Sequence, residues 1–197
     1  ANIILEEKPG ITFNVLEIGA REIQGATDNE HLHIMECFPG SSYIGFEVDE
    51  VACEEMNQAN KPGYRYYAQA IGATNGPVTF YNTANAQCSS LLEPIAEVSE
   101  FYHGLEVMQV VDTVEVNAVT LDTFRRENNI GEVDLLKIDV QGAELDIFKT
   151  SLETLSDVLI IATEVEFMKL YKDQPLFGDI DKFLSSQGFM FHKFQTM

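Results

Sequence analysis

The segment Phe13-Asn14-Val15-Leu16-Glu17-Ile18-Gly19 decides the fold. It is a short, β-branched-rich apolar run that stops at a glycine, the pattern of a strand passing into a turn. Working outward, Thr27 or Asp28 can cap a helix reaching about Cys37, and Pro39-Gly40 ends it. Tyr43-Ile44-Gly45-Phe46-Glu47-Val48 reads as the second strand. Asp49 caps a second helix through about Asn60, Lys61-Pro62-Gly63 closes it, and Tyr64 to Ile71 reads as the third strand. Parallel neighbours can be joined only by long crossovers, so this strand–helix order is the linear form of a parallel sheet with helices packed on it.

The middle of the chain is less regular. Asn75-Gly76-Pro77 is a turn, Val78 to Tyr81 alternates like an exposed strand, Thr83 to Ser90 has loop composition, and Val110 to Val119 is β-branched and extended. Thr120 or Asp122 caps a short helix from Leu121 to Asn128. Val133 to Val140 is a mostly buried strand that ends at Gln141-Gly142. Leu145, Phe148, Leu152 and Leu155 stand at helical spacing and predict one amphipathic helix over Ala143 to Leu155. Val158 to Val165 is the next strand, Phe177-Gly178-Asp179 precedes a helix to Ser186, and Gly188 to Phe194 reads as a last strand. No repeat, low-complexity linker or domain boundary interrupts the 197 residues, so a single α/β domain over 1–197 is expected.

Composition narrows the function. The chain is 45% hydrophobic and 22% charged, which suits a globular domain, and no apolar run reaches the length of a membrane span. No secretory leader pattern is visible, and the first residue is Ala1 rather than Met, which leaves an upstream segment open. Twelve Lys plus Arg against 32 Asp plus Glu give a formal net charge of -20. The arginines, Arg21, Arg65, Arg125 and Arg126, form no stripe. Such a surface repels phosphate backbones, so neither nucleic acid nor an anionic membrane is an expected partner; a cationic or neutral small molecule is. Cys37, Cys53 and Cys88 have no metal-knuckle or redox spacing and read as reduced thiols of a cytoplasmic protein. His31, His33, His103 and His192 form no ligand pair. Apolar residues near both termini leave a homodimer open.

Ligands of open parallel sheets bind outside the carboxyl ends of the strands, near the point where strand order reverses. The residues there are Glu17 to Arg21, Glu47 to Asp49, Gln69 to Gly72, Asp139 to Gly142, and Glu164 to Glu166. Neither GxxxxGK[ST] nor GxGxxG is present, so nothing cradles a phosphate. Glu47, ending the second strand, can accept hydrogen bonds from both hydroxyls of a ribose, and Glu17 brings negative charge to the first turn. Acids with a glycine turn and no phosphate cradle suit a nucleoside that carries a positive centre, as S-adenosylmethionine does.

Several stretches are similar to one family. Thr120-Leu121-Asp122-Thr123-Phe124, then VDLLKIDVQGAE from Val133 to Glu144, resemble the signature of the FkbM-type methyltransferases. GFEVDE at Gly45 to Glu50, Ala70-Ile71-Gly72 with Gly76 to Phe80, Ser89-Ser90-Leu91, and EVEF at Glu164 to Phe167 resemble its other segments. The likeness runs from about Val15 to about Phe189. Where that family's first motif usually reads D-x-G-A-x-x-G, this chain has Glu17 and Ile23, with the next glycine at Gly25.

The resemblance implies a Rossmann-like class I methyltransferase: a mostly parallel central sheet with helices on both faces, using S-adenosylmethionine. Whether the family's usual last strand is present stays open. Carried over by position, Glu17, Gly19 and Ala20 line the methionine end of the cofactor, and Arg21 is expected among the cofactor-binding residues. Glu47 holds the ribose, Val48, Ala70 and Ile71 flank the adenine, and Asp139 and Gln141 lie near the sulfonium. O-methylation of a hydroxyl on a small molecule or sugar is the expected reaction, with Asp139 and then Glu166 as the groups that meet the acceptor and take its proton. No ligand spacing calls for a metal. A cofactor-binding module without turnover and a nucleotide-binding oxidoreductase are the competing readings.

Overall fold

The computed structural model describes residues 10–21, 30–59 and 61–194. Its elements follow the expected alternation. β1 (Asn14–Ile18), α1 (Glu30–Cys37), β2 (Ser42–Glu47), α2 (Glu50–Gln58) and β3 (Tyr64–Ala68) come first. β4 (Ala70–Ile71), β5 (Gly76–Thr83), α3 (Ala96–Phe101) and β6 (Val110–Val119) make the middle. α4 (Leu121–Glu127), β7 (Leu135–Ile138), α5 (Glu144–Lys149), α6 (Leu152–Leu155), β8 (Ile160–Thr163) and α7 (Phe177–Ser186) complete the order.

Five strands form a parallel sheet in the order β3-β2-β1-β7-β8. The chain leaves β1 toward β2 on one side and returns to β7 on the other, so strand order reverses between β1 and β7. Register places Leu16 beside Ile44 and Leu136, and Glu17 beside Gly45 and Lys137. Alternation along each strand then builds two cores. Leu16, Ile18, Phe46, Leu136 and Ile138 pack with Leu121 and Phe124 of α4, Leu145, Ile147 and Phe148 of α5, and Ile180 of α7. Val15, Tyr43 and Tyr66 pack on the opposite face with Cys53 of α2 and Ile34 and Met35 of α1. Each fully buried aliphatic or aromatic side chain stabilises the fold by about 1.5–3 kcal/mol. The Rossmann-like plan with helices on both faces is therefore present.

Local capping follows the expected chemistry in places. Asp49 accepts hydrogen bonds from the backbone N–H groups of Val51 and Ala52 and starts α2, and Thr120 accepts from Thr123 N and starts α4. The candidate caps Thr27 and Asp28, and Ile23 and Gly25 of the first motif, lie outside the described residues.

Three expectations are corrected, and one helix is added. The third strand does not run to Ile71: it stops at Ala68, and Ala70–Ile71 joins a separate three-stranded sheet in the order β4-β6-β5. Gln69 is the pivot, its backbone N–H bonded to Glu47 O at 3.0 Å and its side-chain amide to Asn117 O at 2.7 Å. The helix expected over Ala143 to Leu155 is two, broken where Ser151 Oγ donates back to Ile147 O at 2.7 Å. The buried Asp122 carboxylate holds the new start, accepting from Glu153 N and Thr154 N at 2.9 Å each and from Thr154 Oγ1 at 2.6 Å. Residues 189–194 form no strand; Phe191 and Phe194 instead pack on Phe177, with ring centroids 5.5 and 5.3 Å away. Finally, α3 was not foreseen, because its single turn and a half shows no apolar periodicity. Among the described residues no helix is long and apolar enough to cross a membrane.

Candidate active site

The first turn is built by a close approach that only glycine allows. Gly19 has φ +83°, and a Cβ there would lie 1.9 Å from the carbonyl oxygen of Asp139. The backbone N–H groups of Gly19 and Ala20 both donate to Phe46 O, at 3.1 and 2.9 Å, so the ends of β1, β2 and β7 are drawn together. On the β2 side, Glu47 is nearly buried and accepts from Asp49 N through Oε1 at 2.8 Å, leaving its other oxygen as an acceptor. Arg21 pairs with Asp49 at 3.3 Å across the surface.

Glu17 has a different setting from the other acids. It is 4% exposed, accepts from Tyr43 Oη at 2.7 Å, and pairs with Lys137 Nζ at 2.6 Å. Lys137 therefore offsets the negative charge that Glu17 brings to the cleft. Burial and the Glu17 carboxylate together hold the Tyr43 phenol well above its ordinary value.

The most densely connected group lies after β7 and β8. Gln141 takes up the left-handed backbone region at φ +59°, followed by Gly142 at +104°. A non-glycine residue there costs on the order of 1 kcal/mol and persists only where neighbours hold it. Ser90 Oγ donates to Gln141 O at 2.8 Å, tying the serine-rich loop to this turn. With its backbone so held, Gln141 aims Nε2 between two carboxylates, 2.8 Å from Asp139 Oδ1 and 2.6 Å from Glu164 Oε2. Its Oε1 lies 3.3 Å from the hydroxyl of the buried Tyr171, which donates to Cys88 O at 2.8 Å.

Burial, reinforced by the Asp139 carboxylate, pushes the Glu164 carboxyl up to about 8. Burial and then Asp139 raise Glu166 as well. Burial first, then Glu164 and Asp139, raise Cys88, and burial first, then Cys88 and Glu164, raise Tyr171. Asp139 does not cap α5, although an acid just ahead of a helix suggests it. Glu144 instead folds back to accept from Val140 N and Gly142 N, at 3.1 Å each, and burial raises its carboxyl.

These strand ends border one cleft of about 1800 Å³. The residues expected to hold the cofactor or meet the acceptor all line it: Glu17, Gly19, Ala20, Arg21, Glu47, Val48, Ala70, Ile71, Asp139, Gln141 and Glu166. One wall is the β5–β6 hairpin, through Phe80, Val114 and Val116, and another is Phe167 and Phe177. A smaller cleft of about 250 Å³ lies at the opposite strand ends and involves Asn14, Ser42 and Arg65. That is below the ~300–1,000 Å³ usual for small-molecule sites.

Residues 17–191 match the family described as the Methyltransferase FkbM domain. The chain belongs to that family. This FkbM methyltransferase domain is also similar to the 2-O-methyltransferase NoeI of Sinorhizobium fredii (strain NBRC 101917 / NGR234), at 27% identity over 189 residues, covering 91% of this chain and 73% of that protein. No solved structure matches it significantly. Sequence reasoning named Glu164 and Ser90 without their roles in holding Gln141, and missed Tyr171. Glu164 was visible as a strand-end acid, but its meeting with Gln141 and Asp139 depends on β7 and β8 lying side by side. Ser90 and Tyr171 sit in irregular segments, where periodicity carries no signal. Among the described residues no group of three or more His, Cys, Asp or Glu could hold a metal ion.

Proposed function

We propose that the chain is an S-adenosylmethionine-dependent O-methyltransferase acting on a hydroxyl of a small molecule, with a sugar hydroxyl as the default acceptor class. The observation that carries this reading is the strand-end cleft, walled by acids and poor in unpaired cations, in a chain of a methyltransferase family. Of the three Lys and Arg side chains in its lining, Arg21 pairs with Asp49 and Lys137 with Glu17, and Lys193 is the third. The 2-O-methyltransferase relative supports oxygen as the methylated atom.

The residues present fit the cofactor. Gly19 leaves space where any side chain would strike Asp139, Glu47 retains an acceptor oxygen for ribose hydroxyls, and Ala70 and Ile71 offer an apolar bed for adenine. When bound, the cofactor supplies a methyl group made electrophilic by its sulfonium. Asp139 and Glu166 favour that positive centre electrostatically and stand where an acceptor hydroxyl can give up its proton. Phe80, Val114, Val116, Phe167 and Phe177 hold the apolar side of the acceptor and exclude water, and alignment for in-line displacement follows from these walls. The acceptor carries no phosphate, since the cleft answers it with carboxylates.

Calorimetry with S-adenosylmethionine and NAD, followed by assay of S-adenosylhomocysteine formation against sugar hydroxyls, tests the proposal. Micromolar-range binding of the first ligand alone and turnover with at least one polyol supports it. Binding of NAD instead, or binding without turnover across the acceptor panel, sinks the enzymatic assignment.

A further inference from the structure

The carboxyl pair of Asp139 and Glu164 has a role beyond electrostatic attraction. Both acids are held by a single amide, Gln141 Nε2, at 2.8 and 2.6 Å. That amide is fixed from behind by the left-handed turn and by the hydroxyls of Ser90 and Tyr171. The titratable groups pressing on Glu164 are Asp139, Glu144 and Glu166, with Tyr171 and Cys88 nearby. None of these is a cation, so at neutral pH nothing among them favours two full charges on the pair. Burial, and then the Asp139 carboxylate, raise the Glu164 carboxyl to about 8, so Glu164 holds a proton at neutral pH.

We propose that Asp139 and Glu164, bridged by Gln141, act as one proton-exchanging pair, which releases its proton when the sulfonium cofactor binds and accepts the acceptor's hydroxyl proton as the methyl group is transferred. The accounting closes. A bound positive charge takes the place of the Glu164 proton, which goes to solvent and leaves a carboxylate able to accept another. The acceptor oxygen then forms its bond to the methyl carbon as the carbon–sulfur bond breaks, and the hydroxyl proton passes to the pair. The sulfur leaves neutral and the pair returns to its starting charge. Glu164 is thereby a further catalytic residue beside Asp139, and Gln141 is the positioning residue. The inference rests on the cofactor reading above and deepens it.

The test is calorimetry of the full chain with S-adenosylmethionine and with the neutral S-adenosylhomocysteine, each at pH 7 in phosphate and in Tris, whose ionisation heats differ. The expected result is release of close to one proton per S-adenosylmethionine bound (about nine-tenths, from a group titrating near 8) and none for S-adenosylhomocysteine. In E164Q the release falls to near zero. Identical heats in the two buffers for the wild-type protein, or undiminished release by a folded E164Q, overturn the proton-exchange role while leaving the cofactor site standing. Absence of any cofactor binding overturns both. If E164Q does not fold, the buffer comparison on the wild-type protein still decides.

Discussion

Replacing Gly19 with Ala forces the closest approach that an added Cβ would meet at any of the described glycines. The new Cβ would begin 1.9 Å from Asp139 O and 2.9 Å from its carbonyl carbon, so the ends of β1 and β7 must part by about 1.1 Å to restore the 3.0 Å that real Cβ contacts require. The obstacle is backbone, which cannot rotate aside as a side-chain tip does. The positive φ adds roughly 1–2 kcal/mol for a residue with a Cβ. Forced expansion of a packed site adds about 1–3 kcal/mol. Loss of the Asp139 N to Ile18 O hydrogen bond, now 3.0 Å, adds about 1 kcal/mol. The total, about 3–6 kcal/mol, is a large share of the ~5–15 kcal/mol stability of a typical domain. With a urea slope of roughly 2 kcal/mol/M, the midpoint of unfolding should fall by about 1.5–3 M. Circular dichroism across a urea series measures it, and the protein that remains folded should bind S-adenosylmethionine at least tenfold more weakly, because Asp139 has moved. A midpoint within 0.3 M of wild type, at unchanged slope, would refute the argument that the turn demands glycine.

Three further outcomes are expected. Glu47→Ala should weaken S-adenosylmethionine binding by about 10–100-fold, the loss of charge-assisted hydrogen bonds to the ribose hydroxyls, and calorimetry reads it directly. Asp122→Ala removes three hydrogen bonds that start α6 and should cost about 2–4 kcal/mol by urea unfolding, with little change in cofactor affinity for the folded protein. Because the Glu164 carboxyl is raised to about 8 in the folded state from an ordinary 4.5, the native protein binds the extra proton between those values. Its contribution to stability therefore declines as pH rises from about 4.5 to about 8. Glu164→Gln should accordingly raise the melting temperature relative to wild type more at pH 8.5 than at pH 5; an equal or opposite difference in scanning calorimetry would show that Glu164 keeps its ordinary acidity.

Much of the architecture was legible because it rests on local periodicity. Val15, Leu16 and Ile18 mark a strand by their branching and apolar character, and Asp49 and Thr120 mark helix starts by side-chain chemistry that acts over three residues. The errors arose where a distant group overrode the local pattern. The apolar spacing of Leu145, Phe148, Leu152 and Leu155 continues through a break that Asp122 stabilises from another helix. The alternation from Phe189 to Phe194 suits a strand, yet Phe191 and Phe194 pack on an aromatic cluster around Phe177.

For the cleft the division has the same cause. Strand-end acids and the LKIDVQGAE block were enough to select residues that line the cleft, because chain order along a parallel sheet dictates which turns gather at one end. Tertiary structure alone decided which acids act together. Glu17 meets Lys137 because β1 and β7 are neighbours, 120 residues apart in the chain. Gln141 reaches Glu164 because β7 and β8 are neighbours on the other side. Charge coupling falls off over a few ångströms through space, and distance along the chain does not report it.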